Sequence, residues 1–138
     1  MMRLVWLSFA VAMLAFARPA QAGTYLWSAA LLLDETRRSD DWMNWHFGDT
    51  GLADTLHQLS EARVKVGRKL LVPKEADRAH PHLLLALEAS ERALAAAQEG
   101  EAKHFLKLMA QAMEEERTFR AILGQQNITL PELDRKKN

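Results

Sequence analysis

Leucines recur at intervals of three and four residues through much of this chain, and this spacing constrains its fold more than any other feature. Leu52, Leu56 and Leu59 begin one such stripe, and further stripes occupy residues 83–94 and 105–123. Steps of three and four place side chains on one face of an α-helix, whereas a half-buried strand alternates at every second residue. The sequence therefore predicts an all-α fold.

Glycine and proline residues separate the stripes and predict where helices begin and end. Ser39 is a candidate N-cap for a short helical segment that follows the first helix. Pro81 favours the start of a helix over residues 81–100, and Gly124 is a candidate C-terminal cap for a helix over residues 101–123. Short connections favour antiparallel neighbours and an up-down-up-down four-helix bundle, with a helical pair completed by dimerisation as the alternative. The predicted helices A to D cover residues 24–38, 52–71, 81–100 and 101–123.

The N-terminal segment has the pattern of a secretory signal peptide. Arg3 precedes an apolar run over residues 4–16, and Ala20-Gln21-Ala22 is a small-x-small cleavage signature. The apolar run is shorter than the roughly 20 residues that span a bilayer. We therefore expect cleavage after Ala22 and export to the periplasm, with no integral membrane segment in the mature chain; a retained anchor is the alternative. The predicted boundaries are 1–22 for the signal peptide, 23–124 for the bundle and 125–138 for a C-terminal tail.

Composition excludes several classes of protein. The chain contains no cysteine, which excludes disulfides, thiolate zinc sites, iron–sulfur clusters and covalent haem attachment. Basic and acidic residues number 18 each, and loss of Arg3 and Arg18 with the signal peptide leaves a slight acidic excess. This balance favours neither nucleic acid nor an anionic membrane surface as a partner. No nucleophile-elbow, zinc-protease or phosphate-loop motif occurs, so no enzymatic activity is predicted.

Charged residues interrupt the apolar stripes at four positions. Arg63 falls near the centre of the helix B stripe and Glu116 near the centre of the helix D stripe. Glu91 lies beside the helix C stripe, and Arg37 extends that of helix A. Because an unpaired charge in a core costs several kcal/mol, we expect Arg63, Glu91 and Glu116 to form a buried polar layer that Arg37 joins. Such a layer would fix helix register or bind a ligand inside the bundle.

The histidines suggest a candidate metal site. His46, His57 and His104 belong to one end of the predicted bundle, together with Glu101. Imidazole and carboxylate groups suit transition metals, and His57 with Glu61 has the i,i+4 spacing of two ligands on one helix face. A di-iron bundle needs Glu-x-x-His on two helices, and the chain has one copy. No cofactor is predicted outright; a transition metal, or a haem with a methionine–histidine or histidine–histidine axial pair, is the alternative.

Aromatic residues at the end of helix A suggest a surface for a partner or ligand. Trp42, Trp45 and Phe47 either plug one end of the bundle or form such a surface. The first half of helix A is apolar on nearly every side, which favours wide burial or packing on a second copy. The sequence thus predicts a binding or interaction protein that has an unidentified protein partner or self-associates through helix A. A periplasmic metal- or haem-binding bundle is the alternative function.

Overall fold

The computed structural model describes the backbone of residues 2–133 and the side chains of residues 22–133. The described chain is helical, with a single-turn 3-10 helix at Lys74–Ala76, and the all-α prediction is confirmed. Residues 1–21 of the predicted signal peptide lie outside the described side chains. The helices are α1 (Met2–Trp45), α2 (Thr50–Lys69), α3 (His80–Gln98) and α4 (Ala102–Gln125).

Each helix packs against the next one in sequence, which is consistent with a bundle, and α1 also packs on α3. The third helix is therefore central, because it contacts each of the other three. Its alanine-rich sequence permits this position, since small side chains let neighbouring helices approach on several sides. Asp54 bonds with Gln98 near one end of the α2–α3 seam and Arg68 with Glu88 near the other, so these two helices run in opposite directions.

The apolar core consists of two clusters that occupy opposite ends of the bundle. The first is built around Tyr25, Leu83 and Phe119. The second is built around Met43 and Phe105. Buried polar residues lie between the two clusters in the sequences of α1, α2 and α3, and they divide the core into two apolar halves. These residues are Thr36, Ser39, Asp40, Ser60 and Ser90.

The first helix is longer than predicted, and the break expected at Ser39 is wrong. The helix continues through Ser39 and Asp40 to Trp45. Both residues are buried, and Asp40 accepts a hydrogen bond from Ser90 of α3. Serine and aspartate favour caps because their side chains compete for local backbone groups. Here Asp40 instead has a tertiary partner, which removes that reason for the helix to end.

Residues in the left-handed backbone conformation terminate the last two helices. Gly100, at φ 72°, follows α3 as predicted, with hydrogen bonds from its N–H to Ala97 and from the Glu101 N–H to Ala96, the Schellman arrangement. The cap predicted at Gly124 is wrong, because the helix continues to Gln125. Asn127, at φ 57°, ends α4 instead, since asparagine tolerates this conformation better than most residues.

The segment after α4 folds back on the bundle. Leu130 is buried in the first apolar cluster, and Ile128 and Leu133 pack against it. In the part of the chain that the structure describes, no helix is long and apolar enough to cross a membrane.

Candidate functional site

A buried carboxylate lies at the centre of the polar region between the two apolar clusters. Asp40 is only 4% exposed, and its Oδ1 accepts a hydrogen bond of 2.6 Å from the Ser90 hydroxyl. Burial raises the pKa of Asp40 from 3.8 to about 7, although the hydrogen bond from Ser90 and the positive charge of Arg63 act to lower it. Asp40 therefore changes charge near neutral pH.

Two polar atoms around Asp40 are buried without a hydrogen-bond partner: the hydroxyl of Thr36 and the Nη2 of Arg63. Thr36 itself is 5% exposed. Burial lowers the pKa of the Arg63 guanidinium, and the charges of Asp40 and Glu35 oppose that shift. An unsatisfied buried group costs roughly 1–3 kcal/mol of stability. The Thr36 hydroxyl and the Arg63 Nη2 therefore destabilise the folded state.

A cleft of about 190 Å³ opens beside these groups, between α1 and α4 and over α3. Thr36 and Asp40 line it from α1, together with Asp41. A cavity of roughly 150 Å³ suffices to bind benzene, so the cleft has room for a small organic molecule. The apolar part of its wall consists of Leu33, Ala86, Met109, Ala112 and Met113.

An ion pair spans the cleft and links its two walls. Nη2 of Arg37 on α1 donates to both carboxylate oxygens of Glu116 on α4, at 2.7 and 2.9 Å. Both residues line the cleft, and Arg120 lies 3.6 Å from the same carboxylate. Arg37 is half exposed, and exposed pairs contribute about 0–1 kcal/mol. The pair therefore serves better to define the cleft than to stabilise the fold.

The four residues of the predicted polar layer are divided between separate contacts. Arg37 pairs with Glu116, Glu91 pairs with His57, and the acidic groups that act on Arg63 are Asp40 and Glu35. The prediction that Ser39 caps a separate short segment separated Asp40 from the stripe of the first helix, so Asp40 was not predicted to be buried. A continuous helical wheel through residues 24–45 would have placed Asp40 on the same face as Leu33 and Met43.

A second cluster of titratable residues lies on the seam between α2 and α3. Nε2 of His57 lies 2.8 Å from Glu91, and its Nδ1 lies 3.3 Å from Glu61. The Ser60 hydroxyl donates a 2.6 Å hydrogen bond to the His57 carbonyl oxygen. Among the described residues, one group could hold a metal ion, because one donor atom from each member lies within 4.8 Å of the others. Its members are His57, Glu61 and Glu91.

The other residues of the predicted metal site do not belong to this group. His46 is exposed, and its Nδ1 lies 3.0 Å from the Trp42 carbonyl oxygen. Glu101 and His104 line a shallow groove at the start of α4 that also contains two lysines. The sequence placed these histidines at one end of the bundle but did not show which way each side chain faces.

The three aromatic residues at the end of α1 have different environments. Phe47 packs against Phe105, with ring centroids 5.5 Å apart, and belongs to the margin of the second apolar cluster. Trp42 and Trp45 are 55% and 84% exposed. Met43, which is fully buried, together with Phe47 closes this end of the core. The tryptophans are thus part of the surface.

Comparison of the chain with protein-family models, curated proteins and solved structures gave no match.

Proposed function

We propose that this protein is an exported binding protein that holds a small amphipathic cation in the cleft between α1 and α4. The observation that carries the proposal is the unpartnered, buried hydroxyl of Thr36 beside the buried carboxylate of Asp40, both in the lining of this cleft. Within the proposal, an up-down-up-down four-helix bundle is the scaffold, and the signal-like residues 1–22 direct export to the periplasm.

The chemistry of the lining argues for a ligand with an apolar body. Met109 and Met113 of α4 face Leu33 of α1 across the cleft. Methionine side chains are flexible and polarisable, so they adapt to ligands of varied shape and contact aromatic rings favourably. A short alkyl or aryl group would remove water from this apolar wall, a gain of about 25 cal/mol for each Å² buried.

The charges around the cleft argue for a cationic head group. Asp40, Asp41 and Glu116 supply three carboxylates, and Arg37, already paired with Glu116, supplies the one cation of the lining. An ammonium group donates several hydrogen bonds and carries no acceptor. It would therefore satisfy the Asp40 carboxylate and the Thr36 hydroxyl oxygen together.

Calorimetric titration with three probes of similar shape tests this ligand class: phenethylamine, the anion hydrocinnamate and the neutral ethylbenzene. We expect phenethylamine to bind most tightly, and Asp40→Asn and Thr36→Val to weaken it by about tenfold each, the effect of losing roughly 1.4 kcal/mol. Glu114→Gln, which removes an exposed carboxylate of α4 outside the cleft, should leave binding unchanged. Equal or tighter binding of hydrocinnamate, or absence of saturable binding, would refute the proposal.

The pH dependence of binding gives a second test. If the amine binds the ionised form of Asp40, whose pKa is about 7, affinity must rise as the pH increases through 7. The expected gain between about pH 6 and pH 8 is roughly tenfold, while an alkylamine remains protonated throughout. Asp40→Asn should abolish the pH dependence. A pH-independent affinity in the wild-type chain would exclude Asp40 as the partner of the ammonium.

As a second candidate function, we propose binding of a divalent transition metal by His57, Glu61 and Glu91. Donors around a tetrahedral zinc ion lie about 3.4 Å apart, given bonds of roughly 2.0–2.2 Å. Glu91 lies 2.8 Å from Nε2 of His57 and Glu61 lies 3.3 Å from its Nδ1, and an ion would bind only one of these two nitrogens. With one ligand atom taken from each residue, the three atoms lie within 4.8 Å of one another, so small side-chain movements would bring them to that spacing. Three protein ligands would leave a coordination position open to water.

Titration of the full chain with Zn²⁺, and with Co²⁺ as a spectroscopic probe, tests this candidate. We expect one ion per chain and a loss of at least about tenfold in affinity for His57→Gln and for the half-exposed Glu61→Gln, since each removes a ligand. His104→Gln is the matched control, because it removes an exposed histidine of α4. Binding that depends on His104 and not on His57, or no saturable binding, would refute the assignment.

A further inference from the structure

One face of α1 remains exposed although it carries large apolar side chains. Its outward residues recur at intervals of three, four and seven, which places them within an arc of about 80° on the helix. Two charged residues, Glu35 and Arg38, lie midway along the length of this face and are exposed. The apolar members, each at least half exposed, are Trp27, Leu31, Trp42 and Trp45. We call these six residues the α1 outer face.

The order of residues on the α1 outer face is nearly symmetric about Thr36. Trp27 and Trp45 lie equally far from it, Leu31 and Trp42 differ by one position, and so do Glu35 and Arg38. A two-fold axis through the middle of an antiparallel helix pair brings such positions into contact. Each apolar residue would then meet an apolar residue, and each acid a base.

We propose that two copies of this chain associate through the α1 outer face. The two α1 helices run antiparallel, and the two-fold axis crosses them at the level of Thr36 along the helix. Trp27 then packs against the second copy's Trp45, and Leu31 against its Trp42. Glu35 pairs with the second copy's Arg38, so the charges inside the apolar stripe favour this register over shifted ones. A parallel arrangement would oppose like charges at both positions.

The size of the face is appropriate for a weak or moderate dimer. At 150–250 Å² for each aromatic side chain, the exposed parts of the three tryptophans and Leu31 amount to roughly 500 Å² per copy. A standard interface buries about 800 Å² per partner. Leu59 and Val66 of α2 are also about half exposed and flank Arg63, whose electrostatic partner Glu35 lies on α1. The margin of the interface can therefore extend onto α2.

The chain contains no cysteine, so introduced cysteines report the register directly. In the proposed dimer, the double variant Trp27→Cys with Trp45→Cys forms disulfide-linked dimers on mild oxidation of the full chain. Within one helix these positions are about 27 Å apart at 1.5 Å per residue, so they cannot join to each other. Either single variant should cross-link at least tenfold less, since identical positions are equally far apart across the two-fold axis. Equal cross-linking of the single and double variants would overturn the proposed register.

A charge exchange gives an independent test by sedimentation equilibrium. Glu35→Arg and Arg38→Glu should each weaken self-association by at least about fivefold, and the double variant should restore it, because the pairing is regenerated in reverse. Leu106→Glu, at an exposed apolar position of α4, is the matched control and should leave the dimer intact. A wild-type chain that stays monomeric at millimolar concentration, or a double variant weaker than either single one, would overturn the proposal.

Discussion

Asp40 should make the stability of this protein fall as the pH rises from acid to neutral. Its pKa is raised from 3.8 to about 7 by burial, so the folded state binds a proton that the unfolded chain has already lost between those values. Stability associated with this proton is fully present below 3.8 and is lost as the pH rises through 7. Asp40→Asn, which cannot ionise and keeps an oxygen for the Ser90 hydroxyl, should escape that loss.

The structure sets the magnitude of this effect. At about 1.4 kcal/mol per pH unit, the free energy of unfolding of the wild-type chain should fall by roughly 2–3 kcal/mol relative to Asp40→Asn between about pH 5 and pH 8. Taking the difference between the two proteins removes contributions that they share, such as that of His80, whose pKa is lowered by burial. His80 acts in the opposite direction, because its neutral form is favoured and stability is lost as the pH falls.

Urea denaturation across this pH range measures the difference. Asp77→Asn, which removes an exposed carboxylate after the 3-10 turn, is the matched control for the loss of a carboxylate outside the polar region. If the advantage of Asp40→Asn stays constant within about 0.5 kcal/mol from pH 5 to pH 8, Asp40 does not titrate near neutrality, and the electrostatic reasoning about the cleft is refuted.

Three further predictions concern local structure and use the same urea assay. Gly100→Ala should lower the free energy of unfolding by about 1–2 kcal/mol because the φ of Gly100 is positive. Gly124→Ala should raise it by up to about 1 kcal/mol, because Gly124 lies inside α4 and no atom lies within 4 Å of the new Cβ. Equal effects of the two substitutions would contradict the placement of the helix ends. Asp49→Ala should cost about 1 kcal/mol, since Asp49 accepts a hydrogen bond from the Leu52 N–H at the start of α2, and a neutral result would exclude it as the cap. Tyr25→Phe should cost about 1 kcal/mol, because it removes the 2.9 Å hydrogen bond to His80, and an unchanged midpoint would show that this bond contributes nothing.

The placement of α2, α3 and α4 could be predicted from sequence because the relevant physics is local. The spacing of the leucines and the positions of Gly100 and Pro81 act within a few residues of themselves. The error at Ser39 has a different origin. Its sequence is that of a cap, and what keeps α1 continuous is contact with α3, including the bond from Ser90 to Asp40, which no local pattern records.

The candidate site was predictable only in part for the same reason. The stripes indicated that Arg63, Glu91 and Glu116 lie near helix interfaces, but the rotation of each helix decides which neighbour a long side chain meets. Glu91 thus pairs with His57 and Glu116 with Arg37. The cleft is a property of the α1–α4 separation, which depends on how both helices sit on α3, so its lining could not be predicted from any single stripe.

Methionine-methyl NMR during titration with phenethylamine tests the central claim, that the α1–α4 cleft binds a small cation, most directly. Met109 and Met113 line the cleft, whereas Met43 is buried in the second apolar cluster. We expect saturable shifts of the Met109 and Met113 methyl signals, with that of Met43 nearly unchanged, and loss of these shifts in Asp40→Asn. Saturation without any shift at Met109 or Met113, or identical shifts in Asp40→Asn, would contradict the proposal.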